Sequence, residues 1–152
     1  MTQISKNFTL EELTRSDTAT RLGIDEQFAP SQEIIANLTA LCENVLEPLL
    51  EKLGKAIHIT SGYRCERVNK AIGGAKTSQH VQGEAADFHV DGMSVNELYQ
   101  FVKETDIKYS QLINEFSPTG WVHCSYDRSI RHENLIAIKV NGKTVYTKDV
   151  AL

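Results

Sequence analysis

The sequence predicts an α+β fold, with helices packed on a central, mostly antiparallel sheet, in a single domain over residues 1–152. Three observations carry this expectation. Apolar residues recur at helical spacing in the first third, at Ile34, Leu38, Leu41, Val45 and Leu49. Two capping boxes, Thr9-x-x-Glu12 and Ser94-x-x-Glu97, mark helix starts. The last third is a series of short β-rich runs joined by turn residues. Helices gathered mostly before antiparallel strands are the pattern of an α+β domain.

Taken in order, "FTLEELTRS" reads as a short helix, and the polar text after it reads as irregular up to Pro30. A helix then runs from Ser31 to about Leu53 and stops at Gly54, with Pro48 expected to kink or split it near Glu47. "AIHIT" is a strand, "SGYR" a turn, and Arg64 to Ile72 a short helix ending at Gly73-Gly74. "AADFHV" alternates as a strand, with Asp87 and His89 on one face and Ala86, Phe88 and Val90 on the other. The second capping box starts a helix ending near Glu104. "SQLINEF" and "GWVHCSY" flank Ser117-Pro118-Thr119 as a hairpin. "LIAIKV" and "KTVYT" flank Asn141-Gly142 as a second hairpin, over about 135–147.

Composition narrows the function classes. The net charge is −4, with no basic block, which argues against nucleic-acid binding by phosphate neutralisation. No run approaches the roughly 18 apolar residues of a membrane span, and no membrane association is expected. The N-terminus lacks the apolar core of a secretory signal. Cys42, Cys65 and Cys124 are odd in number and far apart, so they read as reduced, buried thiols of a chain made in the cytoplasm.

The stretch "TSQHVQGEAADFHV" concentrates imidazoles and carboxylates. His80 would lie on the loop entering the strand, Asp87 on the strand, and His123 on the following hairpin. Three N or O ligands with an open position are what a catalytic zinc requires. Spacing alone favours a solvated loop running into an ordinary strand. His89 is a rival ligand for which a structural role is the simpler reading. His58 reads as a strand residue hydrogen-bonded to its neighbours, His132 as a surface-turn residue, Cys124 as an inward-packed thiol, and Trp121 as core or pocket wall.

The wider text resembles a family. Ser61-Gly62-Tyr63-Arg64, Asn69, Gly73-Gly74, Ser78-x-His80, Asp87 and Trp121-x-His123 follow the order found in zinc D-alanyl-D-alanine peptidases of the hedgehog/DD-peptidase fold, over about residues 31–126. This family spans carboxypeptidases, dipeptidases and phage endolysins. The resemblance implies one zinc per chain, held by His80, Asp87 and His123. It implies that Arg64 contacts a substrate carbonyl or carboxylate and that Ser78 lines the same pocket. It also implies a peptidoglycan stem-peptide substrate. A monomer is expected, and the missing secretory signal fits a chain that acts on the cell wall if released by phage-type lysis.

One position departs from the family pattern. Several branches carry an acidic general base three residues before the last histidine, where this chain has Gly120. Pairing of residues 115 and 121 would put Glu115, Trp121 and His123 on one face, making Glu115 the base. Glu84 is the reserve. With neither serving, the chain would be an inactive zinc-containing module that binds peptidoglycan or peptide.

Overall fold

The computed structural model describes residues 1–149; the last three residues of the expected 1–152 unit lie outside the described residues. Six strands form one sheet: β1 (His58–Ser61), β2 (Ala85–His89), β3 (Gln111–Glu115), β4 (Trp121–Ser125), β5 (Glu133–Val140) and β6 (Lys143–Lys148). Their spatial order is β1-β2-β4-β3-β5-β6, antiparallel throughout except for the parallel β3–β5 pair. The α+β class with a mostly antiparallel sheet is therefore the observed architecture.

Period-two alternation divides the sheet into two faces. Ala86, Phe88, Leu112, Val122 and Cys124 join the main core, together with Leu38, Leu41, Val45, Leu46 and Leu49 of the long helical segment. Leu98, Tyr99 and Val102 of α6 (Val95–Glu104) complete it. Burying a side chain such as Phe88, at 0% exposure, contributes about 1.5–3 kcal/mol. The opposite face is left free for polar chemistry. All three cysteines are free and buried.

Both capping boxes form, at α1 (Leu10–Thr14) and at α6. Pro48 does not break the helix it interrupts. Between α3 (Gln32–Leu41) and α4 (Glu47–Leu53) lies one π turn, Cys42–Leu46, and the Glu47 N–H donates to the Cys42 carbonyl five residues back. The wider turn lets the backbone stay helical while Pro48 enters the first turn of α4, where a missing N–H costs little. The polar text before Pro30 is also more ordered than expected. Ser16 caps α2 (Asp17–Leu22), which ends on Gly23, and a 3₁₀ turn covers Asp25–Phe28.

That N-terminal segment holds the "SGYR" turn in place. Fully buried Gln27 donates from Nε2 to the carbonyls of Thr14 and Tyr63, each at 2.8 Å, and accepts the Cys65 N–H at 2.8 Å. The Tyr63 N–H donates to the Leu13 carbonyl. Arg64 thus precedes the helix instead of starting it: α5 covers Glu66–Ala71. Among the described residues, no helix is long and apolar enough to cross a membrane.

Candidate metal centre

Register brings the chain's polar residues together on the face away from the core. Asp87 on β2 lies opposite His123 on β4, and Glu115 on β3 lies opposite Trp121. Facing residues in paired strands share a side, so all four stand on one surface.

His80 arrives from the loop between α5 and β2. The Asn69 side-chain amide donates to the Ala75 carbonyl at 2.9 Å, and the Arg64 N–H donates to the His80 carbonyl at 3.0 Å. Gly83 has φ +72°, and a Cβ there would press to 3.0 Å on Ile34. The small residue thus lets the loop lie against α3.

His80, Asp87 and His123 are all buried, and their potential ligand atoms lie within 4.8 Å of one another. His80 Nε2 is 3.2 Å and His123 Nδ1 is 3.0 Å from the same Asp87 Oδ1. The outer ring nitrogens also face acceptors. His80 Nδ1 is 2.7 Å from the Gly62 carbonyl, and His123 Nε2 is 3.1 Å from Gln79 Oε1.

An outer acceptor holds the single proton of a neutral imidazole and turns the other nitrogen's lone pair inward. Two inward lone pairs beside a carboxylate oxygen repel unless a cation joins them, either extra protons or a metal ion. The N₂O donor set fits zinc, and the outer acceptors are those that orient metal-bound histidines. Burial opposes ionisation of Asp87, but where extra protons rather than a metal ion join the three groups, the charge on His80 and hydrogen bonds from both rings outweigh it. The carboxyl is held well below its usual range.

Arg64, Ser78 and Glu115 surround this group. Arg64 Nη2 donates to Ser78 Oγ at 3.2 Å, and the same hydroxyl accepts the His80 N–H at 3.2 Å. Arg64 Nε is buried without a partner, leaving a donor for an incoming anionic or carbonyl oxygen. Burial lowers the Arg64 pKa, while Asp87 and Glu115 act in the opposite direction. Glu115 is raised, first by burial and then by the charge of Asp87, against weaker pulls from His123, Trp121 and Arg64. The buried Trp121 Nε1 nevertheless reaches no acceptor at hydrogen-bond geometry, so the indole only leans its positive edge towards the carboxylate.

Gly120 has a steric cause. A Cβ built there would collide with the Glu115 carbonyl oxygen, so this hairpin excludes a carboxylate at that position while presenting Glu115 one strand away. Glu84 goes elsewhere. It borders a groove of about 420 Å³ with Glu33, Asn37, Gln82 and Asp127, and its raised pKa reflects burial and then Asp127 rather than the histidines.

The remaining histidines are exposed or peripheral. His58 pairs with Asp91 at 3.1 Å and stacks on His89 instead of bonding along its own strand. His132 stacks on Tyr109. Cys124 points into the core, at 0% exposure.

Three contributors escaped the sequence reading. The Gln79 side chain, between Ser78 and His80, and the Gly62 carbonyl, inside the "SGYR" turn, supply the outer acceptors. Tyr146 is the third: Glu115 lies opposite Ala137 on β5, and Ala137 lies opposite Tyr146 on β6. Tyr146 therefore stands on the same face, and its hydroxyl is pushed up by burial, then by the charges of Glu115 and Asp87. Alternation within "KTVYT" is visible in the sequence, but the parallel β3–β5 pairing has no local signal.

No curated protein matches the chain. The family described as Peptidase M15 matches over residues 6–125, well over half of the 152 residues and including every motif position on this face. The chain belongs to the peptidase M15 family, whose members are zinc-dependent peptidases.

Proposed function

We propose that this chain hydrolyses D-amino-acid-containing stem peptides of bacterial peptidoglycan, as a D,D-carboxypeptidase or an endolysin-type endopeptidase. The observation that carries the reading is the buried convergence of two imidazoles on one carboxylate, each imidazole held from outside by an oxygen acceptor. His80 Nε2, an Asp87 carboxylate oxygen and His123 Nδ1 are the proposed ligands of one zinc. When bound, zinc supplies Lewis acidity, acidifying water and polarising the scissile carbonyl.

The chain's own residues do the rest. Glu115 accepts a proton from the attacking water and returns it to the leaving amine. Its raised carboxyl suits both halves of that transfer better than an ordinary exposed glutamate would. Arg64 directs its free Nε–H and the rest of its fork at the substrate carboxylate or the developing oxyanion. Ser78 fixes that fork through its Oγ, and Trp121 forms the pocket wall beside Glu115.

Incubating the zinc-loaded protein with purified peptidoglycan, and with a stem peptide ending in D-alanyl-D-alanine, tests the proposal. New amino groups should appear with zinc present, and none should form once the metal is chelated. Free D-alanine marks a carboxypeptidase; new amines without it mark an endopeptidase. Glu115→Gln should keep the zinc and lower turnover by about 10²–10⁴-fold. Bound zinc with no cleavage of either substrate would overturn hydrolysis and leave a binding module.

A further inference from the structure

We propose that the chain carries a second, weaker site for a first-row divalent cation, built from His58, His89 and Asp91 at the rim of the same sheet face. The three offer ligand atoms within 4.8 Å of one another, and all three are exposed. His58 on edge strand β1 lies directly opposite His89 on β2, which fixes their Cβ atoms about 4.5–5.5 Å apart. The two rings stack with centroids 4.9 Å apart at 25° between planes. Asp91 follows β2 at the turn through Gly92 and places Oδ2 3.1 Å from His58 Nε2.

A surface ion pair explains the His58–Asp91 contact alone, but not why a second imidazole lies flat against the first. The stacked rings each offer a nitrogen within 4.8 Å of the other's and of an Asp91 carboxylate oxygen. Small rotations of exposed side chains bring all three atoms to the 2.0–2.2 Å bonds of a zinc-type ion. Imidazole-rich, thiol-free ligation selects copper, zinc or nickel over calcium or magnesium. With water filling the remaining positions and no buried partners orienting the rings, the ion exchanges readily. His89 is two residues along β2 from Asp87, so the second ion sits beside the proposed catalytic centre without sharing a ligand with it. None of this depends on hydrolysis.

The test is calorimetric titration of Zn²⁺ into untagged, metal-stripped protein. Two binding events are expected, the weaker at least tenfold less tight. The double variant His58→Ala/His89→Ala should lose the weaker event and keep the tighter one. Asp91→Asn, in an exposed turn that tolerates the change, should weaken the second event by about tenfold and serves should the double variant fold poorly. A single event in the wild type, or a second event unchanged in Asp91→Asn and in the histidine variant, would overturn the proposal.

Discussion

Two clusters of two histidines and one aspartate sit on the same sheet face, and β2 contributes to both. His80, Asp87 and His123 are buried, and the outer nitrogen of each ring is held by an oxygen. His58, His89 and Asp91 are exposed, and only one ring contacts a carboxylate. Ligand type alone therefore does not set how tightly a metal is held. Burial strengthens the charge interactions, and outer acceptors fix which lone pair faces inward.

Exchanging each aspartate for asparagine breaks the comparison most strongly. Asp87→Asn removes the anionic ligand, so tightly held zinc should fall from about one per chain towards none. Losing several kcal/mol of Lewis-acid stabilisation corresponds to a drop in turnover of about a thousandfold. Asp91→Asn should leave turnover at the wild-type level. Metal analysis and amine release measure both, and comparable losses would show that the clusters are not distinct.

A subtler change makes the buried cluster resemble the exposed one. Gln79→Ala removes the acceptor of His123 Nε2 without touching a ligand. Losses of this kind cost about 10–100-fold in metal affinity, readable by competition with a chelator. Unchanged affinity would mean that burial alone separates the two clusters.

At the other end of this face, Tyr146 tests whether the hairpin beyond the family match serves the site. Tyr146→Phe deletes only the hydroxyl that feels Glu115 and Asp87. If that hydroxyl donates to bound substrate, a neutral hydrogen bond worth about 0.5–1.5 kcal/mol is lost, so kcat/KM should fall by about two- to tenfold with zinc content unchanged. A variant with wild-type kinetics would confine the site to the family-matched residues.

How far the site could be read in advance follows from how local its signals are. That Asp87, His123 and Glu115 share a face was legible because period-two alternation and a short hairpin fix which side chains stand together; the ligand roles proposed for the first two came with the family resemblance. Both capping boxes were legible because three residues suffice to form one. Gln27 was not: its role depends on carbonyls at Thr14 and Tyr63, which only the folded chain brings together. The parallel β3–β5 pairing behind Tyr146 is equally non-local. Gly120 looked like a missing base, and the reason it is glycine, a carbonyl too close for any Cβ, lies across the turn.

The smallest effect concerns sign. Two carboxylates on this face are shifted in opposite directions, Asp87 down and Glu115 up. A depressed carboxyl contributes stability that is present above its ordinary value of 3.8 and is lost as pH falls through its folded value. A raised one does the reverse: above its ordinary value of 4.5, the folded state binds the extra proton, and stability falls as pH rises through the folded value. In metal-free protein at pH 7, Glu115→Gln should therefore stabilise and Asp87→Asn destabilise, relative to the wild type. Lowering the pH to 4 should shrink the Glu115→Gln gain, because the wild-type carboxyl is then protonated in the folded state. Denaturant unfolding at the two pH values measures this, and a gain that grew on acidification would show that Glu115 is not raised.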